Sequence, residues 1–136
     1  MKYVAFLLCS FVLFSCEKNI NFKLKVVPAV LVIDAKIEND QAPVVILSKS
    51  FDYFSKITAE TLDTSFVHNA TITVSTGSQT QQLIEYTTTS FGFPVYYYSV
   101  DTTTSGGTFK VQLNTTYNLN VVANGQQYNS TPTIPS

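Results

Sequence analysis

The chain has 136 residues, with eight Lys plus Arg against nine Asp plus Glu, a formal net charge of −1 and one His. Every basic residue is a lysine, so the clustered positive charge that nucleic-acid phosphates require is missing, and so is the bidentate Arg fork favoured by phosphate and carboxylate ligands. With no Trp and with Thr, Ser, Asn, Gln and Tyr abundant, the composition suits an extracytoplasmic β-protein, in which β-branched and aromatic side chains fit a half-buried pleated surface.

Lys2, the apolar run from Tyr3 to Phe14 and the small residue Ser15 ahead of Cys16 have the order of a secretion signal. The run is shorter than the ~20 apolar residues of a spanning helix, and Glu17, Lys18 and Asn19 end it. Leu13-Phe14-Ser15-Cys16 resembles the lipobox of bacterial lipoproteins, whose cysteine is acylated and becomes the first residue of the mature chain. Residues 1–15 are therefore expected to be a lipoprotein signal peptide, and Cys16 a lipidation site carrying palmitate-type chains. At ~0.8 kcal/mol per buried CH₂ one chain holds marginally, and two or more hold firmly. Cys9 leaves with the signal, so Cys16 is then the only cysteine, no intrachain disulfide is expected, and a packed core must stabilise a single domain.

Residues 16–25 read as a polar, irregular tether, and residues 26–131 as the domain. In Leu31–Ile37, the residues Ile33, Ala35 and Ile37 share one face while Asp34 and Lys36 take the other. Glu38–Pro43 supplies turn chemistry, and Val44–Ser48 returns as the second strand of a hairpin. Residues 49–66 read as a long loop with aromatics Phe51, Tyr53 and Phe54, expected to cap the edge of the core. Ala70–Ser75 alternates with Ala70, Ile72 and Val74 inward, and Gly77-Ser78 turns into Gln81–Tyr86. After a turn at Gly92-Phe93-Pro94, Val95–Val100 forms the next strand; Asp101–Gly107 is a polar loop. Tyr117–Ala123 alternates cleanly, Asn124-Gly125 is a hairpin signal, and Gln126–Ser130 is its partner. Residues 132–136 read as a linker or a truncated end. About seven short strands separated by turns predict an all-β fold, an immunoglobulin-like antiparallel β-sandwich.

These strands, in this order behind a lipobox, with Asn69-Ala70-Thr71-Ile72-Thr73-Val74, then Thr116-Tyr117-Asn118-Leu119-Asn120-Val121 and Tyr128-Asn129-Ser130, resemble the N-terminal part of the Bacteroidetes lipoprotein family catalogued as domain of unknown function 4249. That family carries an Ala-Thr-Val strand and a Gly-x-x-Tyr-x-Leu-x-Val strand in these places; here Asn114 stands where its Gly is expected. The resemblance implies an outer-membrane lipoprotein associated with TonB-dependent receptors, and it supplies no catalytic residues.

Among candidate sites, Tyr96 and Tyr98 fall on one face of their strand and Tyr97 on the other, so Tyr96 and Tyr98 are a candidate platform for a glycan or peptide, against the plainer reading that one face packs inward. Asp101-Thr102-Thr103 resembles the O-glycosylation acceptor of the same bacterial group, at Thr102. His68 reads as a solvated loop histidine, not a catalytic base or ligand. Glu38 and Asp40 lack the dense acidic spacing of a calcium loop. No nucleophile-elbow pattern is present. The expectation is a non-enzymatic, lipid-anchored outer-membrane protein without a cofactor, serving as an accessory or binding subunit beside a transport receptor. Its alternatives are a subunit of a surface fibre or adhesin, and the N-terminal support of a hydrolase.

Overall fold

The computed structural model describes residues 28–53, 55–77, 79–103 and 109–136. The signal peptide, Cys16, the tether, Phe54, Ser78 and most of the 101–107 loop lie outside the described residues.

The first hairpin forms where the alternation places it. Strand β1 (Leu31–Lys36) pairs antiparallel with β2 (Val44–Lys49), setting Ile33 opposite Leu47 and Ala35 opposite Val45. Val45 and Leu47 are buried, so this is the inward face and Asp34 and Lys36 lie on the other. Further along come β3 (Thr71–Ser75), β4 (Thr80–Ser90), β5 (Phe93–Val100), β6 (Thr115–Thr116), β7 (Asn118–Ala123), β8 (Gln126–Ser130) and β9 (Thr133–Ile134). Seven of them make one sheet in the order β1-β2-β5-β4-β3-β7-β8, antiparallel at every pairing, and β6 pairs with β9 separately.

The protein is all-β, and the seven-stranded sheet curls as a half-barrel. Opposite halves of it face each other across the core: Ala35 and Val45 from one side and Val74 and Leu119 from the other border the same internal space of about 110 Å³. That is how one continuous sheet produces sandwich-like layers. Ile72, Val74, Leu83, Val100 and Val121 are buried on the concave face. Each contributes roughly 1.5–3 kcal/mol through apolar burial.

Four segments differ from the expectation. Residues 49–66 are not a plain loop: they contain helix α1 (Ala59–Asp63), too short for helical periodicity to register in the sequence. Thr58 caps it, its Oγ1 accepting from Thr61 N–H at 3.2 Å while its own N–H donates to Thr61 Oγ1 at 2.7 Å. Beyond α1, Lys49 N–H donates to Ser65 C=O and Val67 N–H to Leu47 C=O, so residues 65–67 lie along β2. Residues 132–136, expected as a linker, carry β9, and Tyr117 N–H donates to Pro132 C=O at 2.9 Å. Phe109 and Val111, unassigned from the sequence, are buried; Val111 exchanges backbone hydrogen bonds with the β1–β2 turn, accepting from Asp40 N–H and donating to Gln41 C=O.

The fourth difference is the length of the β4–β5 hairpin. Its register runs from Leu83 opposite Val100 to Ser90 opposite Phe93, whereas β3 stops pairing with β4 at Leu83. Glu85–Ser90 therefore extends about 20 Å as an arm past β3, at ~3.3 Å per residue. The turn is at Phe91-Gly92, with φ of 51° and 82°, and Pro94 lies inside β5 instead of in the turn. Both central residues at positive φ make the primed kind of turn that suits strand twist. Among the described residues the other non-glycine positions at positive φ are Asp40, Asn69, Asn114 and Asn124, side chains that tolerate that region. Phe91 does not, and its placement costs about 1 kcal/mol. Asn124-Gly125 turns the β7–β8 hairpin in the same way, as the sequence predicts.

Candidate functional site

Three tyrosines in a row on β5 alternate as expected: Tyr96 and Tyr98 share a face, and Tyr97 takes the other. The shared face is the concave one. Tyr98 is 3% exposed, so its ring packs in the core and has no face to offer a ligand. Tyr96 stands at the rim, edge-on to Phe66 at 5.4 Å and to His68 at 4.5 Å between ring centroids. On the convex face Tyr97 instead stacks on Tyr86, at 5.6 Å and 22°. Only Tyr96 of the expected platform pair remains at the surface, and its neighbours are aromatic.

Beneath Tyr96 a polar network fills the wedge that residues 65–67 open between β2 and β5. Glu85 is its centre. It follows Leu83 at the next inward position of β4, so the alternation that buries leucine carries a carboxylate to the rim. One carboxylate oxygen meets His68 Nδ1. The other accepts from Tyr98 O–H at 2.8 Å and Asn69 N–H at 3.2 Å. Tyr98 Oη also accepts from Ala70 N–H at 3.2 Å and has Val67 C=O at 3.1 Å as a second acceptor for its proton. A carboxylate partner fixes a proton on His68 Nδ1.

These contacts explain the local electrostatics. Partial burial works to raise the Glu85 carboxyl, but hydrogen bonds from His68, Tyr98 and the Asn69 amide, with the His68 charge, outweigh it and hold the group below its ordinary value. Burial, opposed by the Ala70 N–H and reinforced by Glu85, pushes the Tyr98 phenol up to about 12. Tyr96 is raised mainly by the negative charge of Asp63, with burial and a hydrogen bond to Asp63 adding to it. Phe66, Glu85 and Asp63 were not singled out in the sequence. An acidic residue in an otherwise inward register is the signal that finds Glu85; nothing local finds the other two, which arrive through α1 and the strand-like crossing after it. The network is a clamp: it ties the segment before β3 to the β4–β5 arm, and its groups satisfy one another.

The remaining candidates are separate. Thr102 is exposed, its N–H donating to Tyr86 Oη at 3.3 Å, and Asp101 Oδ1 accepts from Thr103 N–H and Oγ1 to form a tight local turn. Glu38 pairs with Lys36 at 3.1 Å and Asp40 with Lys110 at 3.2 Å, all exposed. Among the described residues, no group of three or more His, Cys, Asp and Glu is arranged to hold a metal ion. A cleft of about 890 Å³ opens at the far end of the sheet, between the β1–β2 turn at Asp40, Thr76 and Gln79 near the β3–β4 turn, and Lys110 and Gln112. A smaller groove of about 300 Å³ lies between β1 at Ile33 and Ala35 and β8 at Tyr128 and Ser130, the two outer strands of the curled sheet.

No curated protein and no solved structure matches the chain. The sequence model of a family described as a domain of unknown function, DUF4249, matches residues 17–136, which is all of the given sequence after the lipobox-like segment, and the chain belongs to that family.

Proposed function

We propose that this protein is a lipid-anchored, non-enzymatic lipoprotein of the outer membrane of a Bacteroidetes bacterium, acting as an accessory or binding subunit beside a TonB-dependent transport receptor. The observation that carries the reading is Leu13-Phe14-Ser15-Cys16 closing a short apolar run directly ahead of a DUF4249 domain that begins at residue 17. Acyl chains on Cys16 hold the domain at the membrane, and Thr102, on an exposed turn, is available for O-glycosylation.

The test is mass-spectrometric identification of what the tagged protein brings down from cross-linked, detergent-solubilised membranes, beside Cys16→Ala. A TonB-dependent receptor recovered with the wild type and lost with the variant supports the reading. Recovery of only further copies of the chain refutes it. That outcome favours a fibre subunit, a reading which the groove between β1 and β8 supports, because each of these strands pairs on one side only among the described residues.

A further inference from the structure

Six of the ten large apolar side chains that stand exposed among the described residues gather at one end of the domain, while Val32, Ile84 and Val122 lie along the strands. β1 starts, β2 ends and the β4–β5 arm turns at the same end of the sheet, as the pairing of Leu31 with Lys49, the antiparallel pairing of Val45 with Tyr98, that of Ser90 with Phe93, and the Ser50 N–H bond to Val30 C=O require. At that end lie Val30, Phe51, Tyr53, Ile57, Phe91 and Phe93, all exposed. The opposite end shows Leu113 alone among the described large apolar residues that stand exposed. Single exposed apolar residues need no explanation, but an asymmetric set of them marks a contact surface.

Phe91 makes the case sharper. It is 98% exposed at the tip of the arm, in a left-handed conformation that every other non-glycine residue adopting it among the described residues meets with Asn or Asp. Turn formation alone selects asparagine or glycine there, so a phenylalanine held in strain and in water serves something outside the fold. Tyr53, 92% exposed, stands at the same end.

What covers this end follows from where the chain enters it. Pro28 leads into β1 here, and between Cys16 and Pro28 the backbone reaches at most about 40 Å. Acyl chains on Cys16 therefore tether the domain to the bilayer by this end, where the chain enters it. Aromatic side chains partition to the membrane–water interface, where their rings sit at headgroup depth. We propose that the end of the domain bearing Phe91, Phe93, Phe51, Tyr53 and Ile57 docks into the interfacial layer of the membrane that anchors Cys16. The inference rests on the lipid-anchor reading. Its consequence is orientation: the arm tip and the exposed Phe51, Tyr53 and Ile57 act as a second foot beside the lipid, and the 890 Å³ cleft points away from the membrane.

Because the chain contains no Trp, one substitution makes a site-specific reporter. The lipidated full chain carrying Phe91→Trp, and separately Leu113→Trp, is reconstituted into phosphatidylethanolamine–phosphatidylglycerol vesicles with and without lipids brominated near the headgroup. Both sites are exposed, so neither substitution disturbs the core. The expected result is blue-shifted emission from Phe91→Trp that brominated lipid quenches several-fold more than that of Leu113→Trp. Equal, water-like emission from both in vesicle-bound protein overturns the docking and leaves the anchor standing. A blue shift that brominated lipid does not quench means a protein contact and also overturns it. Intact mass showing no acyl chain on Cys16 removes the anchor reading, and the docking with it.

Discussion

Tyr98→Phe isolates the clamp from the core around it, because the ring stays and only the hydroxyl goes. The hydroxyl accepts from Ala70 N–H and donates toward Glu85 Oε2 or Val67 C=O. Removing one buried partner costs roughly 1–3 kcal/mol per group left unsatisfied. Ala70 N–H and Val67 C=O are the groups stranded, while Glu85 keeps His68 and the Asn69 amide and has access to water. The expected loss is about 2 kcal/mol, or about 8 °C in Tm for a domain near 100 residues. Urea unfolding followed by far-UV circular dichroism reads it as a lower midpoint with an unchanged m value. The alkaline limb gives a second reading. The unfolded phenol titrates near ~10 and the native one at about 12. The native state therefore holds this proton more tightly: the contribution is complete below about pH 10 and disappears as pH rises toward about 12. With the solvent beside Glu85 discounting it, that loss is at most about 2 kcal/mol in the wild type, and Tyr98→Phe lacks it. Tyr97→Phe on the convex face is the control, expected within about 0.5 kcal/mol of wild type. A Tyr98→Phe loss no larger than the control's, or an identical alkaline limb, refutes the clamp.

At the acid limb, Glu85 binds its proton more weakly in the folded than in the unfolded chain, so its contribution is present above about pH 4.3 and is lost as pH falls through its lowered native value; Glu85→Gln flattens this part of the pH–stability curve, and a superimposable curve counts against it. Phe91→Asn relieves the left-handed strain at φ 51° and is expected to raise stability by about 0.5–1 kcal/mol while weakening vesicle docking, so unfolding and flotation assays should move in opposite senses. Ile72→Ala, at a fully buried position between β4 and β7, is expected to cost about 2–5 kcal/mol, and a loss under about 1 kcal/mol contradicts the packing described for the concave face.

Alternation with a period of two is written into Leu31–Ile37, Ala70–Ser75 and Tyr117–Ala123, and it alone separates the two faces of each strand and names Ala70, Ile72 and Val74 as inward, because a strand's faces are decided by neighbours two apart. Asn124-Gly125 fixed its own turn by the same local logic, since few residues accept positive φ. The apolar run ending at Cys16 is likewise a local pattern. What the tertiary structure decided is everything that depends on distant segments meeting. Pairing β7 with β3 and curling the sheet set which of the two tyrosine faces is the core, so Tyr98 became buried and Tyr96 a rim residue. A five-residue helix and the crossing at residues 65–67 brought Phe66 and His68 to Tyr96 across sequence gaps that no local periodicity spans, while the β4–β5 register set Glu85 opposite Tyr98. Val111 and β9 are held by short backbone pairings with remote segments, and Phe109 by packing edge-on against Tyr117, none of which leaves a repeat in the sequence to read. The convergence of exposed aromatics at the end where the tether enters is of the same kind: Phe51 and Tyr53, expected to cap the core but exposed, meet Phe91 and Phe93 there only because antiparallel register brings the end of β2 and the β4–β5 turn to one end of the sheet.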